Sequence, residues 1–157
     1  VVNPNNPTGS LLRRGERERL LEFCGRHGLA LISDEVFLDY AFPWAAREAT
    51  SLAGESAALT FTLNGLSKIA ALPQMKLGWI VVGGPGALAE QALARLEVIA
   101  DTYLSVATPV QQALPRLLEG RGAVQRQILE RAEANLNSLD ERLAAQELVS
   151  RLPVEAG

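Results

Sequence analysis

The segment Leu63-Asn64-Gly65-Leu66-Ser67-Lys68-Ile69-Ala70-Ala71-Leu72-Pro73-Gln74-Met75-Lys76-Leu77-Gly78-Trp79 decides how the rest of the chain is read. It lies between two apolar runs, Ala58 to Leu63 and Leu77 to Val82, both of strand length and composition. Lys68 stands among apolar neighbours just before the turn marked by Pro73. Such surroundings predict incomplete solvation of the ammonium, and desolvation is one way a lysine becomes the nucleophile of Schiff-base chemistry. A lysine beside a strand can also keep its tip in water and cover apolar surface with its stem. The other segments must decide.

Upstream, Asn3-Pro4-Asn5-Asn6-Pro7-Thr8-Gly9 packs prolines, asparagines and a glycine into an ordered set of turns, which leaves amide side chains free to meet a ligand. From Arg14 to His27 the positions Leu20, Leu21, Cys24 and His27 recur at helical spacing, with Glu16 and Glu18 in the first turn and Gly28 as C-cap. Leu29 to Ser33 reads as a strand buried on both faces, with Asp34 and Glu35 at its carboxyl end. Downstream, Gly83 to Gly86 is a turn into a helix whose Leu88, Ala92, Leu96 and Ile99 share a face. It lacks the lysine and hydroxyl of a phosphate-binding loop. Thr108, Pro109 and Gln111 have the order of a helix start, and Pro115 should kink or shorten that helix. Ala123 to about Ser150 predicts a long outer helix with the stripe Ile128, Ala132, Leu136, Leu139 and Leu143.

Strands alternating with helices predict an α/β fold with a mainly parallel sheet. Ligands of such sheets gather at the carboxyl ends of strands. Asn6, Asp34 and Lys68 each follow a predicted strand, so three segments can deliver polar groups to one crevice.

With 157 residues and 48% hydrophobic content, the chain suits one domain or a piece of one. A net charge of -3, a pI near 5.3 and the lack of any run of basic residues interleaved with aromatics argue against a polyanion as partner, so no nucleic acid is expected. No apolar run approaches the roughly 20 residues of a membrane span, and no membrane is expected as partner. The single Cys24 excludes an internal disulfide and a cysteine-rich metal site, which suits the cytoplasm. The only histidine, His27, falls at a helix end with no orienting group or oxyanion site, which argues against a hydrolase. Val1-Val2-Asn3 reads as the end of a strand and Pro153 to Gly157 as the entry to another, so the chain is expected to be a fragment.

These residues resemble the class I and II aminotransferases of the fold-type I pyridoxal-phosphate enzymes. Three signatures stand in that family's order. They are Asn3 to Gly9 as its Asn-Pro-x-Asn-Pro-Thr-Gly loop, Ser33-Asp34-Glu35-Val36 as its aspartate strand, and Ser67-Lys68 with Pro73, Lys76 and Gly78 as its lysine segment. The resemblance implies a three-layer α/β/α large domain over residues 1–150, with 151–157 starting a smaller domain. It implies pyridoxal 5'-phosphate as cofactor, an amino acid and a 2-oxo acid as substrates, and a homodimer. Lys68 would join the cofactor as a Schiff base and shuttle the proton. Asp34 would face the pyridine nitrogen, where a carboxylate about 4 Å from a pyridinium is worth roughly 4 kcal/mol at an effective dielectric near 20. Asn6 would donate to the phenolate oxygen.

Lys76, eight residues past Lys68, stands where the family usually has an arginine gripping the phosphate, and Ser67 could add a hydroxyl there. Two departures bear on efficiency. Phe37 replaces a tyrosine that donates to the phenolate, and Gly65 replaces a phosphate-binding serine. Losing the tyrosine hydroxyl should raise the pKa of the cofactor linkage. The same residues suit two other outcomes: a C–S lyase or synthase of the same fold, and the sensor domain of a transcription regulator.

Overall fold

The computed structural model describes residues 1–103 and 105–157. Helix α1, Arg14–His27, ends at Gly28. There a φ of 64° lets the Leu29 N–H turn back to the Cys24 carbonyl at 2.9 Å. This backbone closure satisfies an otherwise orphan carbonyl, and glycine adopts it without steric cost. Leu21 and Cys24 of α1 pack with Leu31, Leu52 and Ala58 into the first core. Each fully buried leucine there is worth roughly 1.5–3 kcal/mol relative to exposure.

Strands β1 (Leu31–Asp34), β2 (Thr60–Gly65) and β3 (Gly78–Gly83) form one sheet in that order. β1 runs parallel to β2, with Leu31 opposite Thr60 and Asp34 opposite Leu63. Val2 adds a parallel bridge at Asp34 on the far side of β1. β3 returns antiparallel to β2, from Gly65 opposite Gly78 to Thr60 opposite Gly83. β1 starts two residues later than its apolar run and is buried on one face only: Ile32 is 55% exposed. Alternation along the strand therefore puts Ser33 and Glu35 on the covered side and Asp34 on the same face as Ile32.

Between β2 and β3 lies helix α2, Leu66–Ile69, a single turn that carries Lys68. Leu66, Ala70 and Leu77 form a second core with Trp79, Val110 and Leu114. Helix α3 spans Gly86–Thr102, and of its predicted stripe Ala92 is buried while Leu88 and Ile99 stay exposed. In α4, Thr108–Glu119, Thr108 is the first helical residue and Ala107 the N-cap. The helix continues past Pro115 to Glu119, so the proline does not shorten it. Helix α5 is Arg121–Leu143, seven residues shorter at its end than the apolar stripe and charge pattern predict. Beyond it the chain doubles back, and Arg151 pairs with Asp140 through two hydrogen bonds of 2.5 and 2.7 Å.

Glu35 is the one acidic side chain among the described buried residues, at 2% exposure. Its carboxylate accepts from the Ser33 hydroxyl at 3.0 Å, the Ser51 hydroxyl at 2.5 Å and the Leu52 N–H at 2.8 Å. Those donors tie the irregular segment around Ser51 to the end of β1. A buried carboxylate is tolerated because it is hydrogen-bonded on both oxygens.

Two outcomes follow. Glu35→Gln presents an amide N–H to donors that need an acceptor, and it is expected to lower unfolding stability by about 1–3 kcal/mol in urea titrations; a loss below about 0.5 kcal/mol would contradict this role. A Cβ on Gly65 would lie 2.9 Å from the Leu77 carbonyl oxygen and 3.0 Å from the Gly78 Cα, both backbone atoms. Gly65→Ser is therefore expected to cost about 1–3 kcal/mol by the same measurement, and an unchanged midpoint would show that the hairpin yields freely.

Candidate functional site

The Asn3–Gly9 loop is fastened to β1 by backbone bonds, Asn3 N–H to Asp34 O at 2.8 Å and Asp34 N–H to Val1 O at 3.0 Å. Inside the loop two of the three asparagines hold the turns together. The Asn3 side-chain oxygen accepts from Leu12 N–H at 2.9 Å, and the Asn5 side-chain oxygen accepts from the Thr8 hydroxyl at 2.8 Å. Asn6 does neither: its amide is exposed and has no hydrogen-bond partner among the described residues. Gly9, at φ 68°, closes the loop where any Cβ would strike Val154 and the Ala156 carbonyl. The N–H groups of Glu155 and Ala156 both bond Gly9 O at 3.0 Å. The terminal residues thus lie against the loop.

A cleft of about 140 Å³ opens here, bordered by Asn5, Asn6, Phe37 and Gly157. Phe37 is its link to the lysine, because the Lys68 Nζ stands 5.5 Å from the centre of the Phe37 ring. A cation at that distance gains about 0.5–1 kcal/mol at an exposed site. Asp34 closes β1 three residues before Phe37 and is half-buried. One of its carboxylate oxygens accepts the Val36 N–H at 3.2 Å, while the other has no partner among the described residues. Ser67 adjoins Lys68 on α2.

The structure lines this cleft with Asn6 and Phe37, sets Lys68 Nζ 5.5 Å from the Phe37 ring, and puts Asp34 at the same end of the sheet. Asp34, Ser67, Lys68 and Lys76 are not among the residues lining this cleft, and Lys76 is exposed on the turn after Pro73–Met75, in a left-handed conformation with φ 50°. The expected desolvation of Lys68 is also not met, since the side chain is exposed. Its apolar neighbours Leu66 and Ala70 turn to the opposite side of the helical turn, where they enter the second core.

Sequence reasoning missed the residues that hold Lys68 from behind. The Tyr40 hydroxyl donates to the Lys68 carbonyl at 2.6 Å, and Gln125 on α5 donates to the Ile69 carbonyl at 2.8 Å. Burial, and secondarily the charge of Asp39, raise the Tyr40 phenol above its usual pKa, so it stays a donor. Asn64 bridges the two strands: its amide donates to Glu35 O at 3.3 Å and its side-chain oxygen accepts the Gly65 N–H at 2.7 Å. A tyrosine near an aspartate strand could have drawn attention, whereas nothing in a charged helix singles out Gln125.

An amine on Lys68, an amide on Asn6 and one carboxylate oxygen of Asp34, none with a hydrogen-bond partner among the described residues, are groups of the kind an aldehyde-bearing aromatic anion would need. The cleft is smaller than the 300–1,000 Å³ usual for small-molecule sites. The described residues therefore build one side of such a site.

Comparison with known proteins gives the family. The family profile "Aminotransferase class I and II" matches residues 1–154. The glutamate-pyruvate aminotransferase AlaA of Haemophilus influenzae is 27% identical over 153 residues, covering 98% of this chain and 37% of that protein. The arginine–pyruvate transaminase AruH of Pseudomonas aeruginosa is 38% identical over 133 residues, covering 79% of this chain and 32% of that protein. Among solved structures, that of the PLP-dependent cyclase OrfR superposes with a TM-score of 0.77 at 28% identity, covering 100% of this chain and 39% of that one. The chain spans about a third of the length of these relatives. With its three signature segments in order and the profile running almost end to end, the chain belongs to the class I and II aminotransferases.

Proposed function

We propose that this chain is the lysine-bearing part of a pyridoxal 5'-phosphate-dependent aminotransferase that moves an amino group between an amino acid and a 2-oxo acid. The observation that supports the reading is that Phe37 borders the cleft together with Asn6, whose amide has no partner among the described residues, and also lies 5.5 Å from Lys68 Nζ, at the end of the sheet where Asp34 lies. The cofactor, when bound, supplies an aldehyde for attachment and a ring that withdraws electrons from the substrate's α-carbon.

The chain's own groups divide the remaining work. Lys68 Nζ would hold the cofactor and, as a neutral amine with a free lone pair, would take and return a proton at the same nitrogen. Asp34 offers its open carboxylate oxygen to a ring N–H and keeps that nitrogen protonated. Asn6 donates an amide hydrogen to an anionic oxygen, and Phe37 packs beside it without a donor of its own. Ser67 and Lys76 are proposed for the phosphate, with Lys76 contributing charge and lacking the forked geometry of arginine.

Several further points are proposed with this reading. Residues 1–150 belong to the cofactor-binding large domain, and 151–157 lead into a smaller one. The full-length protein works as a homodimer in the cytoplasm, in amino-acid biosynthesis. No described helix is long and apolar enough to cross a membrane. Both relatives named above have pyruvate in their names, so pyruvate is the first 2-oxo acid to assay.

The test is spectroscopic and chemical. The full-length protein with pyridoxal phosphate is expected to show a visible absorption band and to transfer nitrogen to pyruvate. Lys68→Ala is expected to lose the band and to lower turnover by about a thousandfold or more. A band that survives the substitution would overturn the assignment of Lys68. Release of ammonia without an acceptor would favour elimination over transamination.

A further inference from the structure

Lys68 sits on a helix of four residues, too short to hold its own shape. The last carbonyls of any helix lack intrahelical donors, and here two side chains from distant segments supply them. Tyr40, 3% exposed on the short turn Leu38–Tyr40, donates its hydroxyl to Lys68 O at 2.6 Å. Gln125, half-buried near the start of α5, donates its side-chain amide to Ile69 O at 2.8 Å.

The two donors are also joined to each other. The same Gln125 nitrogen lies 2.9 Å from Asp39 Oδ2, and Asp39 precedes Tyr40 in the chain. A carbonyl and a carboxylate are both acceptors, so only the amide nitrogen of Gln125 can satisfy the pair, and its two hydrogens suffice. Lys68 O has one other donor, the Ala71 N–H at 3.2 Å, which closes the turn from within. Neither Tyr40 nor Gln125 touches Nζ. Both act on the backbone of the residue that carries it.

We propose that Tyr40 and Gln125 form a two-point clamp on consecutive carbonyls of the lysine turn and thereby aim Lys68 Nζ. This rests on the reading of Lys68 as the cofactor-bearing residue. The clamp explains why α5, otherwise a charged outer helix, is brought against the site. It also gives Tyr40 a role different from that of the missing tyrosine at position 37. The raised phenol pKa keeps the Tyr40 donor intact at neutral and mildly alkaline pH.

The experiment uses the full-length protein loaded with pyridoxal phosphate, with Tyr40→Phe, Gln125→Met and Gln125→Lys. Three quantities are read: hydrogen exchange of the peptide covering residues 66–72, circular dichroism of the bound cofactor's visible band, and kcat separately from KM. Tyr40→Phe and Gln125→Met are expected to keep cofactor stoichiometry while exchange speeds up about five- to tenfold. The visible dichroism is expected to fall by about half, and kcat to fall about tenfold with KM changed less than about twofold. Gln125→Lys restores a donor to Ile69 O and Asp39 and is expected to recover most of each loss.

Unchanged exchange and dichroism in folded Tyr40→Phe and Gln125→Met would overturn the clamp. Should Tyr40→Phe fail to fold, Gln125→Met and its lysine counterpart decide the matter alone. Lys68→Ala separates the two ideas, because a visible band surviving there removes the functional reading, while exchange of residues 66–72 in the Tyr40 and Gln125 variants still judges the clamp.

Discussion

A single helical turn has no stability of its own, so the position of Lys68 depends on the antiparallel ladder of β2 and β3 that pins both ends of its loop. Six residue pairs, from Thr60–Gly83 to Gly65–Gly78, fix those ends. At the last pair the backbones come so close that Gly65 has no room for a side chain. The expectation that Gly65 is merely a lost phosphate-binding serine thus has a second explanation in packing. Below the turn, Leu66, Ala70 and Leu77 bury themselves against α4 and hold the apolar side of the turn inward. The same burial turns Lys68 outward.

Division of labour recurs in each segment of the site. In the Asn3–Gly9 loop, Asn5 accepts from Thr8 and Asn3 from Leu12 just beyond the loop, while the Asn6 side chain has no partner among the described residues. At the end of β1, Glu35 is buried and fully bonded while its neighbour Asp34 keeps one oxygen open. The period of a strand separates those two carboxylates onto opposite faces. One ties the segment around Ser51 to β1, and the other keeps an oxygen without a partner among the described residues.

Much of this was legible in the sequence. The Arg14–His27 helix and its glycine cap, and the three strands with Asp34 and Lys68 at or just beyond the carboxyl ends of two of them, follow from periodicity and turn chemistry. What was hidden depends on contacts across long sequence separations. No local pattern tells that Gln125 reaches Ile69, that Tyr40 reaches Lys68, or that the lysine's apolar neighbours face away from it. Helix bounds were misjudged at α4 and α5: propensity sees Thr108 and Pro115, while α4 packs against the turn of Lys68 along its length and α5 ends at Leu143, beyond which the chain doubles back.

The sequence contains two lysines, Lys68 and Lys76, which makes the central claim open to a direct chemical reading. Borohydride reduction of the cofactor-loaded protein fixes any imine permanently, and peptide mass spectrometry then locates the added pyridoxyl group. The account predicts a stoichiometric label on the peptide carrying Lys68 and none on the peptide carrying Lys76. A label on Lys76, or a protein that binds the cofactor and yields no reduced adduct at Lys68, would contradict it.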